Sequence, residues 1–370
     1  MNPYLLRLSA YSNYPRFYAW PHFDKMREFA EKIALQELVA PSWRDGIYPE
    51  DDLEFVQFLG MVDTINFYFT DAVTKTKFQT LWPECRACGQ DLRHYEKVDE
   101  KKRVYRCLIH EQPARLHSGA TAMTACLRRA LKEGLPITDP KFLRDLREWN
   151  LKRAANVFRG VPPLNVIPML RERRSLLYES ALRLQDFDDQ WINVFRGSSF
   201  RAFDNGRGVV EVIASFESFY DVYTSLPLPG GGFGPPLPFF KRAHLFAQMY
   251  EGRARSSSVL TRLKGTEFLI LPADYELPKA LSSPEIGALK FSPELQQKIR
   301  NQEVLEDGSA MVVETRLATV ELGEVFQESV NQIRKAAGLD PYTKVEEDYP
   351  LWLAGRNSPD PHIIVPSTRF

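Results

Sequence analysis

Leu226-Pro227-Leu228-Pro229-Gly230-Gly231-Gly232-Phe233-Gly234-Pro235-Pro236 runs almost directly into Phe239-Phe240-Lys241-Arg242-Ala243-His244. Gly and Pro punctuate the first stretch so heavily that it reads as a rigid, turn-rich loop between helical segments. Composition alone leaves it open as a surface linker or a functional loop. The second stretch opens a helix with a lysine-arginine pair. About thirty residues on, the apolar run Phe268-Leu269-Ile270-Leu271-Pro272-Ala273 ends in Asp274, followed by Tyr275-Glu276-Leu277-Pro278. A carboxylate is costly to bury there unless it is paired or used. Together the two features suit a site that holds a phosphorylated ligand and stabilises positive charge.

Helical patterning dominates after residue 115. Residues 121–133 read as a helix stopped by Gly134 and Pro136. Asp139-Pro140 opens the next, with Phe142, Leu143, Leu146 and Trp149 as its apolar face. Leu170, Leu177, Ala181 and Leu184 mark another, Ser292-Pro293 starts one more, and Phe326, Val330 and Ile333 line a helix that Gly338 closes. Strand-like patterns occur only at 209–213 and 311–320, and the second reads equally well as helix. Residues 9–69 are rich in Tyr, Phe and Trp, which suits a thick core or a wall for a flat ligand. The expectation is a mainly α fold: one large helical domain from residues 1–80 and 114–370, with a small insertion at 81–113.

The insertion carries Cys85-x-x-Cys88 and Cys107-x-x-His110, with eighteen residues between the pairs. Three thiolates and an imidazole at this spacing suit a closed, tetrahedral zinc site, with no coordination position left open for catalysis. Val104-Tyr105 between them is strand-like, as in a zinc ribbon. The bland alternative is unmetallated surface cysteines. Cys126 falls inside a helix and reads as a small core residue.

At 370 residues with 44% apolar content, the chain is long enough for a sizeable core. Lys+Arg and Asp+Glu are both 48, so formal net charge is zero, which disfavours bulk nucleic-acid binding. No apolar run approaches the length of a membrane span, and the N-terminal residues lack a signal-peptide pattern, so a cytoplasmic protein is expected. Four cysteines do not make a disulfide scaffold. No Ser/His/Asp arrangement, P-loop or dinucleotide fingerprint stands out.

Several short motifs, in order, resemble the queuosine 5′-phosphate N-glycosylase family of queuosine salvage proteins. They are Asn66-Phe67-Tyr68-Phe69, Arg129-Ala130-Leu131-Lys132-Glu133-Gly134 with Thr138-Asp139-Pro140, Phe158-Arg159-Gly160 and Phe216-Glu217-Ser218-Phe219-Tyr220-Asp221. The stretches at Lys241 and Asp274, then Glu314-Thr315-Arg316 and Asp348-Tyr349-Pro350-Leu351-Trp352, complete the series. The family reads Arg-Val-Pro-Gln where this chain has Glu276-Leu277-Pro278-Lys279, and Trp where it has Thr70. The loop before Lys241 also looks like the hairpin of helix-hairpin-helix glycosylases.

The resemblance implies a hydrolase that frees queuine from queuosine 5′-monophosphate for transfer RNA modification. It implies a small nucleotide as partner, no organic cofactor, and only the structural zinc. Asp274 is then the carboxylate that stabilises an oxocarbenium-like transition state, with Asp221 as second candidate. Lys241 is a cation for Asp274 or for the 5′-phosphate. Arg242 is less well placed, since adjacent helix positions point about 100° apart. Phe67, Tyr68 or Trp352 would stack on the base, and Asn66 and Tyr275 enter as substrate-binding through their motifs. Asp348 or Glu314 would pair with the substrate's cationic amine and diol, or Glu314 and Arg316 would belong to a structural network. Two other functions stay open: a non-catalytic zinc-ribbon protein that binds RNA, and a DNA-repair type of glycosylase.

Overall fold

Local chemistry sets most helix boundaries. Asp139 accepts the Lys141 N–H at 2.9 Å and starts the helix Pro140–Arg144. That helix stops early. Asp145 turns its carboxylate onto the N–H and guanidinium of Arg147, a local alternative to helical bonding. Leu146 is therefore exposed, and Trp149 reaches the core from a loop. The helices Ala120–Lys132, Leu170–Arg183 and Pro293–Arg300 form where the periodicity places them. Gly338, at φ 71°, lies just past the end of Ala310–Ala336. The computed structural model describes residues 2–9, 11, 14–223 and 235–369. Residues 226–234 of the turn-rich loop lie outside them, and with them most of the expected hairpin.

The fold is not mainly α. Helices make up 47% of the described residues, and the rest includes a four-stranded antiparallel sheet and two strand pairs, so the class is mixed α/β. The four strands run in the order Gln79–Trp82, Pro113–Ser118, Val104–Cys107, Tyr95–Asp99. The longest of these strands has six residues, too few for alternation to stand out. Conversely, both stretches with strand-like patterns are helical. Val209–Ala214 and residues 311–320 of Ala310–Ala336 are buried on nearly every side, which removes the amphipathic period by which a helix is recognised.

The chain divides into two compact units, Met1–Trp43 with Val194–Phe370, and Arg44–Asn193. In the first, the 27-residue helix Ala310–Ala336 packs on the helix Phe23–Ile33 and the strand Ala19–Pro21. Leu271, Leu277, Leu281, Phe326 and Val330 fill that core. In the second, the sheet packs on Ala120–Lys132. No helix of the described residues is long and apolar enough to cross a membrane.

Candidate active site and metal centre

Strand Val222–Tyr223 pairs with Leu237–Pro238, which sets Asp221 beside the start of the helix Lys241–Ala254. Phe240 precedes that helix with φ 43° and has no side chain that can cap it. Asp221 does so from a distance: its Oδ2 accepts the Lys241 N–H at 2.9 Å. The same carboxylate takes both terminal nitrogens of Arg316, each at 2.7 Å. Arg316 is fully buried, donates Nε to the Ala273 carbonyl at 3.2 Å and lies 4.2 Å from the Phe239 ring centroid. Both oxygens of Asp221 are thus engaged in holding together the loop before Asp274 and the helix carrying Lys241.

Asp274 ends the apolar run as the sequence indicates. Its Oδ1 accepts the N–H groups of Glu276 at 2.8 Å and Leu277 at 3.1 Å, which starts the helix Glu276–Ser282. No described residue hydrogen-bonds Oδ2. Burial pushes the Asp274 carboxyl up, against the pull of Lys241; Glu276 adds to the rise and the two backbone N–H groups oppose it. Burial also pushes the Lys241 ammonium down, with Asp274 opposing. Asp348 completes the cluster from the helix Lys344–Asn357. Burial and the neighbouring Asp274 charge push its carboxyl up to about 8, with Lys241 pulling the other way. Near neutral pH this group holds its proton. Its side chain has no hydrogen bond to any described residue. Gly355 lets its helix approach the Glu276–Ser282 helix: a Cβ there would lie 2.1 Å from the Glu276 carbonyl oxygen.

The other expected site residues have varied surroundings. Glu314 is buried, and its Oε2 accepts the N–H groups of Phe17, Tyr18 and Ala19. It ties the first strand to the long helix. The Arg242 guanidinium is buried 5.3 Å from the Phe219 ring centroid. Tyr275 packs its ring on His362 at 4.7 Å. Trp352 stacks on Tyr349 at 5.9 Å, and Tyr349 meets Trp43 edge-on at 5.7 Å. Tyr349 lies inside the motif at residues 348–352, whereas Trp43 belongs to none of the motifs. The aromatic richness of residues 9–69 was the available signal for Trp43. Asn66, Phe67 and Tyr68 belong to the second unit. There the Arg173 guanidinium lies 4.2 Å from the Phe67 ring centroid and donates to the Phe67 and Tyr68 carbonyls.

The four zinc-type ligands converge. Their donor atoms all lie within 4.8 Å of one another. Cys88 Sγ is 3.5 Å from Cys107 Sγ, and His110 Nδ1 is 3.2 Å from Cys85, 3.9 Å from Cys88 and 3.7 Å from Cys107. Zn–S bonds of about 2.3 Å at tetrahedral angles put neighbouring sulfurs about 3.7 Å apart, so the residues fit such an ion. Glu84, one residue before Cys85, accepts from Arg129 and Arg159. Arg129 also binds Thr80 Oγ1 and the carbonyls of Val157 and Arg159, each at 2.9 Å. Two family-like motifs therefore meet in a structural network next to the metal ligands.

Comparison with known proteins agrees with these motifs. A profile described as queuosine salvage protein matches residues 47–369. The chain is similar to a queuosine 5′-phosphate N-glycosylase/hydrolase of Sphaerobacter thermophilus, 25% identical over 347 residues, which cover 92% of this chain and 88% of the relative. It is similar to proteins of the same name from Bos taurus, 27% identical over 249 residues (65% and 67% of the two chains), and Mus musculus, 25% over 243 residues (64% and 66%).

Proposed function

The chain belongs to the queuosine salvage protein family, and on that premise we propose how its residues cleave a nucleotide. It is an N-glycosyl hydrolase acting on queuosine 5′-phosphate, and the queuine it frees feeds transfer RNA modification. The substrate's base is a 7-deazapurine, so there is no N7 lone pair to protonate. Catalysis must then lean on the positive charge that grows on the ribose as the N-glycosidic bond breaks. Asp274 supplies the opposing charge and takes the proton of the attacking water. The observation that carries this is its divided carboxylate. One oxygen is locked to the start of a helix, which fixes direction, and the other is open beside Lys241.

Lys241 favours the ionised form of Asp274, against the burial that favours the protonated one. Asp221 and Arg316 set the backbone on which both stand. The stacked pair Tyr349 and Trp352 offers an aromatic face for the base, with Trp43 edge-on to Tyr349. The relatives named above are all nucleotide glycosylases, which sets this reading above an RNA-binding zinc ribbon or a DNA-repair enzyme. The test is to incubate purified protein with queuosine and with queuosine 5′-phosphate and to measure free queuine by mass spectrometry. Queuine released from the phosphate is expected; none from either compound would overturn the assignment.

Cys85, Cys88, Cys107 and His110 hold a structural zinc in this reading, which staples the sheet and takes no part in the chemistry. Protein purified without chelators is expected to carry about one zinc per chain. Stripping the metal should loosen protection of residues 85–110 in hydrogen exchange while the helices elsewhere stay protected. Metal analysis that finds no zinc would sink the assignment.

A further inference from the structure

Cleaving the bond leaves a proton to be delivered as well as one to be removed, and Asp274 accounts only for the second. We propose that Asp348 is the catalytic acid that protonates the departing base. The proposal rests on the hydrolase reading above. The Lys241 charge acts on both Asp274 and Asp348, and Asp274 acts on Asp348, yet the surroundings of the two carboxyls differ. Asp274 has two backbone N–H groups to hold a negative charge. Asp348 has no hydrogen bond from any described residue, so nothing there holds a negative charge and the neutral acid is favoured. No described residue accepts the acid's proton in a hydrogen bond, so it is available to a ligand. Trp352, which stacks on Tyr349, lies one turn on from Asp348 and so on the same face of the helix.

Most other charged groups on and against this helix are paired, while burial pushes the neighbouring Glu347 carboxyl up to about 7. Lys344 on the same helix bonds the Gly323 carbonyl and lies 3.6 Å from Glu347. Glu346 pairs with Arg255, which also pairs with Glu251. On the helix packed against it, Glu276 and Lys279 lie 3.9 Å apart. Among the described residues, Asp274 and Lys241 are the charges that act on Asp348. The step balances. The C1′–N bond breaks with its electron pair going to the base, which takes the proton of Asp348. Water bonds to C1′ and gives a proton to Asp274. Transfer of that proton from Asp274 to Asp348 resets the pair.

The test compares two leaving groups. An Asp348→Asn variant and the parent are assayed on queuosine 5′-phosphate and on 4-nitrophenyl riboside 5-phosphate, whose leaving group departs without protonation. On queuosine 5′-phosphate a loss on the order of a hundredfold or more is expected. On the nitrophenyl compound turnover should be near that of the parent, which also shows that the variant is folded. The parent's kcat/KM for queuosine 5′-phosphate should fall as pH rises through about 8, because the acid must be protonated, and the variant should lack that limb. Equal losses on both compounds, or near-parental turnover of queuosine 5′-phosphate, would overturn the role of Asp348 and leave the hydrolase reading intact. Parent protein inactive on queuosine 5′-phosphate would remove both.

Discussion

Asp274→Asn protein is expected to bind queuosine 5′-phosphate about as tightly as the parent and to turn it over slower by on the order of a hundredfold or more. Asparagine keeps an oxygen that can accept the Glu276 and Leu277 N–H groups, so the start of the Glu276–Ser282 helix survives. What is lost is the charge facing the ribose and the acceptor for water's proton. Those interactions develop in the transition state, so kcat falls while KM changes little. The parent should also lose activity as pH drops through the raised pKa of Asp274, since only the ionised form works. Steady-state kinetics with queuosine 5′-phosphate, on variant protein of unchanged circular dichroism, checks this. Near-normal turnover would move the catalytic carboxylate elsewhere.

The largest effect on stability is expected at the other aspartate. Asp221→Asn leaves Arg316 buried with no carboxylate, and breaking such a pair costs about 3–5 kcal/mol. Urea unfolding should show the loss as a lower midpoint. A double variant, Asp221→Asn with Arg316→Gln, removes the orphaned charge and should recover part of it. A loss below about 1 kcal/mol, the scale of a surface pair, would show that Arg316 finds another partner on relaxation.

These contrasting fates show what the sequence made legible. Asp274 was marked by its place at the end of an apolar run, and capping residues such as Asp139 and Ser292 announced their helices. The four zinc-type ligands were readable from spacing alone, because a metal ion demands that they converge. The sheet was not. Strands such as Val104–Cys107 are too short to show a period, and the β-branched runs near Val209 and Val312 belong to helices buried on almost every side. The division of labour between aspartates was hidden too. Asp221 sits 95 positions from Arg316, and Asp348 lies 74 residues beyond Asp274, so only the tertiary fold shows which carboxylate is tied and which is open.

Gly355 gives that arrangement a further property. Two helices spaced by side chains slide as those side chains change rotamer, and their separation is a soft average. Here the backbone of one rests on a carbonyl of the other. The spacing is therefore set by a hard stop, as in a gauge block, and it belongs to the peptide chain itself. Asp274, two residues before Glu276, and Asp348, two turns before Gly355, hang from opposite jaws of that gauge. Rotamer changes in the surrounding core then alter the distance between these two helices little. A proton passed between the carboxyl groups they carry would cross between helices of nearly constant spacing, and drift in the rest of the enzyme's sequence can proceed without retuning it.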